Sequence, residues 1–206
     1  MKNIEIAIKE LYRLFEELNK KIYKNELPEP AILIQNQGKH KGTLGWCTTK
    51  EIWADKENTI KKYEITMCAE YLNRNIHEIA GTMLHEMVHL DNIRDGVKDC
   101  TRAGKYHNKK FKAAAEAAGL IVELSDLYGW SQTKLSPDLI QWIKTLNINL
   151  NGFKLARSFE LAKKGTKKSS TRKYQCPYCE NTVRATKDVN IICKDCGCEY
   201  IKISED

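Results

Sequence analysis

His85-Glu86-Met87-Val88-His89 constrains this chain more than any other stretch, because two histidines four residues apart meet on one face of a helix. The flanking Ile76, Ile79, Ala80, Met83, Leu84, Met87 and Val88 give that helix a broad apolar surface. Such a helix is buried, and two imidazoles and a carboxylate taken inside with it need partners. A metal ion provides them. Two neutral imidazoles hold zinc, the metal acidifies water, and the intervening glutamate accepts its proton, which predicts hydrolysis, most often of peptide bonds. Asn75 and Glu78 read as a capping-box start and Gly96 as the stop. The competing reading is a core helix with hydrogen-bonded histidines.

Catalytic zinc usually takes three protein ligands. His107 is the first choice for the third, placed where a second helix is expected to begin and run through Phe111, Ala114, Ala115 and Ala118 to Gly119. Glu116 and Glu123 stay open as alternatives, and by position alone His107 is as compatible with an exposed histidine. Asn92 and Asp95 stand where a metzincin needs Gly and His, which disfavours that subclass. Tyr106 is considered for stabilising an oxyanion.

A second metal signature lies near the end: Cys176-Pro177-Tyr178-Cys179 and, thirteen residues on, Cys193-Lys194-Asp195-Cys196-Gly197. Two CxxC knuckles at this spacing predict a zinc ribbon whose four thiolates close the coordination shell, making this zinc structural. Cys198 is an alternative to Cys196. About thirty residues cannot build an adequate core, so the module should fold only with metal. Thr182-Val183-Arg184 and Val189-Asn190-Ile191-Ile192 are expected to form its hairpin.

Between these signatures, Lys163, Lys164, Lys167, Lys168, Arg172 and Lys173 fall within eleven residues that contain no acid, in a chain of formal net charge +7. That composition predicts a basic flexible linker able to attract DNA phosphates, with Arg184, Lys187, Lys194 and Lys202 extending the charge into the ribbon. A solvated tether is the plainer reading. The expected layout is a catalytic domain at 1–160, a linker at 161–173 and the ribbon at 174–206.

The remaining pattern predicts a compact α+β, zincin-like domain, helices packed on a small and mostly antiparallel sheet. Ile4, Ile8, Leu11, Phe15, Leu18 and Ile22 form the stripe of a first helix. Residues 31–34 read as a strand, 43–49 and 51–54 as a hairpin, and 63–67 as a strand whose edge at 62–67 could bind an extended peptide by strand addition. Ser136-Pro137 starts a later helix through Leu139, Ile140, Trp142, Ile143 and Leu146. The N-terminus does not read as a secretory signal and no run reaches membrane-spanning length, so a cytoplasmic location is expected, nucleoid-associated if DNA is bound. Cys47, Cys68 and Cys100 are then expected as free thiols in or near the core.

The order of these features resembles the SprT/Spartan-like family of zinc metallopeptidases. The resemblance rests on the first helix ending in Leu27-Pro28, the Gly42-Thr43-Leu44-Gly45-Trp46 segment, the 63–67 strand, His85 to His89, Gly104, His107 and Phe111, and the trailing ribbon. The segment at the third histidine reads Gly-Lys-Tyr-His, Gly104 to His107, where many relatives read Gly-His. The resemblance implies His85, His89 and His107 as zinc ligands, Glu86 as general base, and protein substrates attached to DNA. The alternative is a zinc-stabilised nucleic-acid-binding or regulatory protein in which the HExxH site is structural or inactive.

Overall fold

The computed structural model describes residues 2–38, 42–158 and 171–203. The chain divides into two compact units, Met1–Phe159 and Glu160–Asp206. Lys163, Lys164, Lys167 and Lys168, on which the linker reading rests, lie outside the described residues.

The first unit is α+β. Helix α1 (Asn3–Tyr23) buries Ala7, Leu11, Leu14, Phe15 and Leu18 and ends at Lys24 in the left-handed conformation. Its buried stripe is turned slightly from the expected one, leaving Ile4 exposed at the rim. Pro28 and Pro30 prevent helix continuation, and β1 (Ala31–Gln35) follows. Two further strands, β2 (Gly45–Cys47) and β5 (Glu64–Cys68), join it in a mixed sheet ordered β1-β5-β2. All five residues of β5 are buried, as a central strand requires.

This sheet corrects two expectations. The hairpin between 43–49 and 51–54 does not form: β2 pairs antiparallel with β5, while β3 (Trp53–Ala54) pairs with β4 (Lys61–Lys62). The chain turns later because the Asp55 carboxylate accepts from the amides of Thr59 and Ile60, 2.7 and 2.9 Å away, fixing the loop there. The edge at 62–67 is also not free, since β1 runs parallel on one side of β5 and β2 antiparallel on the other. Strand β2, at the side of this sheet that contacts α2, pairs with β5 alone among the described strands.

Helix α2 (Ile76–Arg94) starts as expected: Asn75 Oδ1 accepts the His77 amide at 3.0 Å and Glu78 Oε2 accepts the Asn75 amide at 3.1 Å. Beyond it, β6 (Cys100–Thr101), β7 (Tyr106–His107), β8 (Leu120–Ser125) and β9 (Gly129–Leu135) form a second sheet ordered β6-β7-β9-β8. Helix α3 (Lys109–Ala117) separates β7 from β8, and α4 (Pro137–Thr145) follows β9, capped by Ser136 as its sequence predicts. The core lies between α1, α2 and the first sheet, with Phe111, Leu120, Leu135, Leu139 and Ile143 closing it.

The second unit is a three-stranded antiparallel sheet ordered β11-β10-β12, made of β10 (Arg172–Gln175), β11 (Thr182–Ala185) and β12 (Ile201–Ile203). Arg172 and Lys173 belong to this sheet rather than to a linker. The partner of the 182–185 strand is therefore β10, and of the expected 189–192 strand only an isolated bridge from Ile192 to Glu199 is formed. Tyr174 is the reason: buried in β10, its hydroxyl accepts from the Val189 amide at 3.2 Å and pins that segment across the sheet.

Candidate metal centres

Helix geometry puts His85 and His89 on one face of α2, and the fold brings His107 to them. His107 Nε2 lies 3.1 Å from both His85 Nε2 and His89 Nε2. Three nitrogens at about 2.0–2.1 Å from a tetrahedral zinc stand about 3.3 Å apart, so the triangle has the size that zinc needs. Phe111, fully buried, lies beneath all three rings with centroids 4.6 to 4.7 Å away, so the histidines rest on one aromatic floor.

His107 does not sit on the first turn of a helix. Asn108 caps α3, its Oδ1 accepting the Lys110 amide at 2.7 Å, and this leaves His107 in β7. The strand holds it firmly: its amide donates to the Tyr128 carbonyl at 2.9 Å and its Nδ1 to the same oxygen at 3.3 Å. That approach requires Gly129, where φ is +69° and a Cβ would come within 2.2 Å of the His107 carbonyl oxygen. The other two candidates are placed elsewhere: Glu116 pairs with Lys112 at 3.6 Å and Glu123 with Lys134 at 3.2 Å, both on the surface. The Tyr106 ring packs beside Gly129 and under the Arg102 guanidinium, 4.8 Å from its centroid.

The second nitrogens fix the tautomers. Asp99 Oδ2 lies 2.7 Å from His89 Nδ1, and Thr133 Oγ1 lies 3.0 Å from His85 Nδ1. Carboxylate and carbonyl only accept, so His89 and His107 carry their protons on Nδ1 and turn bare Nε2 lone pairs toward each other. A cation at the centre satisfies both. Burial and the neighbouring histidines hold His85 well below the usual imidazole range, and the same causes bring His107 down to about 4, so both are ready as neutral ligands. The donor set fits zinc.

Glu86, next along α2, is only 5% exposed. Burial pushes its carboxyl up to about 7, against the downward pull of His89 and of the Cys47 amide that hydrogen-bonds it. Strand β2 comes this near because Gly45 has no side chain: a Cβ there would lie 2.8 Å from the Thr66 carbonyl oxygen and 3.4 Å from Glu86 Oε1. Burial also raises the thiols of Cys47, Cys68 and Cys100, the last two to about 12, and all three are free. Asp99, Thr133, the Tyr128 carbonyl and the Cys47 amide were not marked by any sequence pattern, since each is brought in by a long-range strand pairing or a turn.

In the second unit, Cys176, Cys179, Cys193 and Cys196 bring their sulfurs within 4.8 Å of one another. Cys179 and Cys193 sulfurs are 3.7 Å apart, the edge of a tetrahedron with metal–sulfur bonds of about 2.3 Å. The two knuckles repeat one design: the amide of Glu180 returns to the Cys176 carbonyl at 3.0 Å and that of Gly197 to the Cys193 carbonyl at 2.7 Å, both residues having positive φ. The Cys179 amide, directed at the Cys176 sulfur, brings that thiol down to about 6. The cluster fits a zinc ribbon. Cys198 stands outside this set, its sulfur 3.4 Å from that of Cys176.

No helix among the described residues is long and apolar enough to cross a membrane. Comparison with curated proteins and with solved structures finds no match. The family model described as SprT-like matches residues 11–128, from the first helix through all three histidines to Tyr128. On that match, which spans more than half of the sequence, the chain belongs to the SprT-like family.

Proposed function

We propose that this protein is a zinc-dependent endopeptidase acting on proteins associated with DNA. The observation that carries the hydrolytic part is the convergence of three imidazole Nε2 atoms, with a buried carboxylate on the helix that carries two of them. Zinc held there supplies a Lewis acid that polarises a carbonyl and acidifies water. His85, His89 and His107 hold the ion, and Glu86 accepts the proton of the attacking water and can return it to the leaving amine. Its raised pKa suits both transfers near neutral pH, and a neighbouring cation tunes it toward the carboxylate. On either side of β2 the Leu44 carbonyl and the Thr48 amide are spent on β5, so the main-chain groups of Gly45 and Cys47 alternate toward the outer edge, where the Cys47 amide holds Glu86 and the groups of Gly45 and the Cys47 carbonyl face a substrate. An extended substrate adds there, antiparallel or parallel to Gly45–Cys47, beside Glu86.

The ribbon and the basic residues before it bring the enzyme to DNA in this reading. Arg172 and Lys202 are both paired with Asp188, 2.9 and 2.7 Å away, so the linker lysines and Lys173, Lys187 and Lys194 contribute most of the phosphate attraction. A cytoplasmic, nucleoid-associated location follows from that role.

The decisive experiment is Glu86→Gln. The amide keeps the shape and loses the base, so zinc content stays at the parent level while cleavage of a test protein falls by several orders of magnitude. Cleavage at the parent rate would remove Glu86 as the base, whereas a zinc-loaded parent that cleaves no test protein would return the site to a structural role and leave a zinc-stabilised nucleic-acid-binding protein.

A further inference from the structure

Asp99 belongs to no motif, yet it is 8% exposed and touches the histidine centre. Its Oδ2 accepts from His89 Nδ1 at 2.7 Å and from Asn92 Nδ2 at 3.1 Å. Asn92 follows His89 by three residues on α2 and so shares its face. The Asp99 main-chain carbonyl accepts the Asn108 amide at 2.9 Å, tying the same residue to the chain beside His107. Asp99 thus spans two of the three ligands.

Each histidine has its own partner behind it: the Thr133 hydroxyl for His85, the Tyr128 carbonyl for His107 and the Asp99 carboxylate for His89. Only the last carries charge. Two donors, His89 Nδ1 and Asn92 Nδ2, converge on its Oδ2. The Cys100 thiol also hydrogen-bonds Asp99, so the group His89, Asp99 and Cys100 is a hydrogen-bonded chain around one carboxylate rather than a second metal centre. A carboxylate behind an imidazole allows one tautomer, fixes the ring plane and makes the far nitrogen a stronger donor.

We propose that Asp99 is the positioning residue of the trihistidine centre, holding His89 with its Nε2 lone pair aimed at the metal and strengthening that bond through its negative charge. This rests on reading the three histidines as a zinc site.

The test is zinc affinity of the full-length protein, measured by competition with a chelator, with the tetrathiolate site as reference inside the same molecule. Asp99→Asn keeps the shape and an accepting oxygen but removes the charge; Asp99→Ala removes both. Zinc at the histidines should bind about 10- to 100-fold more weakly in Asp99→Ala and less so in Asp99→Asn, with ribbon affinity unchanged. The cobalt(II) spectrum of the trihistidine site should shift in the same order. If Asp99→Ala does not fold, Asp99→Asn with parent-like urea stability carries the test alone. A parent that binds two zinc ions and variants that hold both to within about twofold of parental affinity would overturn the positioning role. A parent that binds only the ribbon zinc would overturn the trihistidine reading, and the role with it.

Discussion

The main-chain amide of Cys47 hydrogen-bonds the carboxylate of Glu86, joining the outer strand β2 of the first sheet to the helix that carries two of the three histidines. One hydrogen bond therefore fixes the proposed base relative to the strand on which a substrate would lie. A change in β2 reaches the chemistry directly, as Gly45 against Glu86 Oε1 makes plain.

Gly129→Ala should damage the trihistidine centre from behind. Its Cβ would fall 2.2 Å from the His107 carbonyl oxygen, so β7 and β9 must separate and the ligand must move. The expected cost is about 1–3 kcal/mol of stability, with loss of the histidine zinc and retention of the ribbon zinc. Two zinc ions per chain by elemental analysis of the variant would show that His107 tolerates the shift.

The metal-free first unit should lose stability as pH falls from 6.5 toward 4. His85 and His107 have folded pKa values below the unfolded 6.5, His107 at about 4, so the unfolded chain takes up protons first. Glu86 acts oppositely: raised from 4.5 to about 7, it keeps a proton that the unfolded chain has released, so its contribution falls as pH rises across that interval. Glu86→Gln removes the opposing slope. Its stability between pH 4.5 and 6.5 should rise more steeply than the parent's in urea titrations with chelator present, read by helical signal. Parallel curves would mean that Glu86 ionises as it does in the unfolded chain.

Cys176→Ser combined with Cys179→Ser should release one zinc and unfold the second unit while the helices of the first remain, because folding and metal binding are coupled locally. Limited proteolysis would detect it. Cys196→Ser should also release that zinc and Cys198→Ser should not, since Cys198 lies outside the four-sulfur set. Equal losses would place Cys198 among the ligands.

Replacing Lys163, Lys164, Lys167, Lys168, Arg172 and Lys173 by glutamine should weaken DNA binding and flatten its salt dependence. Every phosphate that is no longer neutralised lowers the slope of log affinity against log salt by about 0.7 to 0.9. Arg172, held by Asp188, should contribute least. Cleavage of a short unstructured peptide should continue unchanged. An unaltered slope in fluorescence anisotropy would leave these residues as a solvated tether.

Local spacing determined much of this protein. The capping box at Asn75 and Glu78, the histidine pair four apart and the paired CxxC knuckles each follow from a few consecutive residues obeying helix or turn geometry, and each appears in the structure where the sequence puts it. His107 was legible as a residue but not as a position, because a histidine just ahead of Asn108 belongs to the strand once that asparagine takes the cap. Strand pairing was the level at which the sequence ran out. Short strands such as Glu64–Cys68 do not say which neighbours will flank them, and β8 and β9 carry too little alternation to announce a hairpin. The partners of the three histidines come from those pairings and turns: Thr133 from β9, the Tyr128 carbonyl from the turn before it, Asp99 from the approach to β6. The sequence names which residues could hold a metal because coordination chemistry restricts the residue types. Only the tertiary structure decides what holds those ligands in place, because an accepting oxygen can come from almost any residue that long-range packing brings within hydrogen-bonding distance.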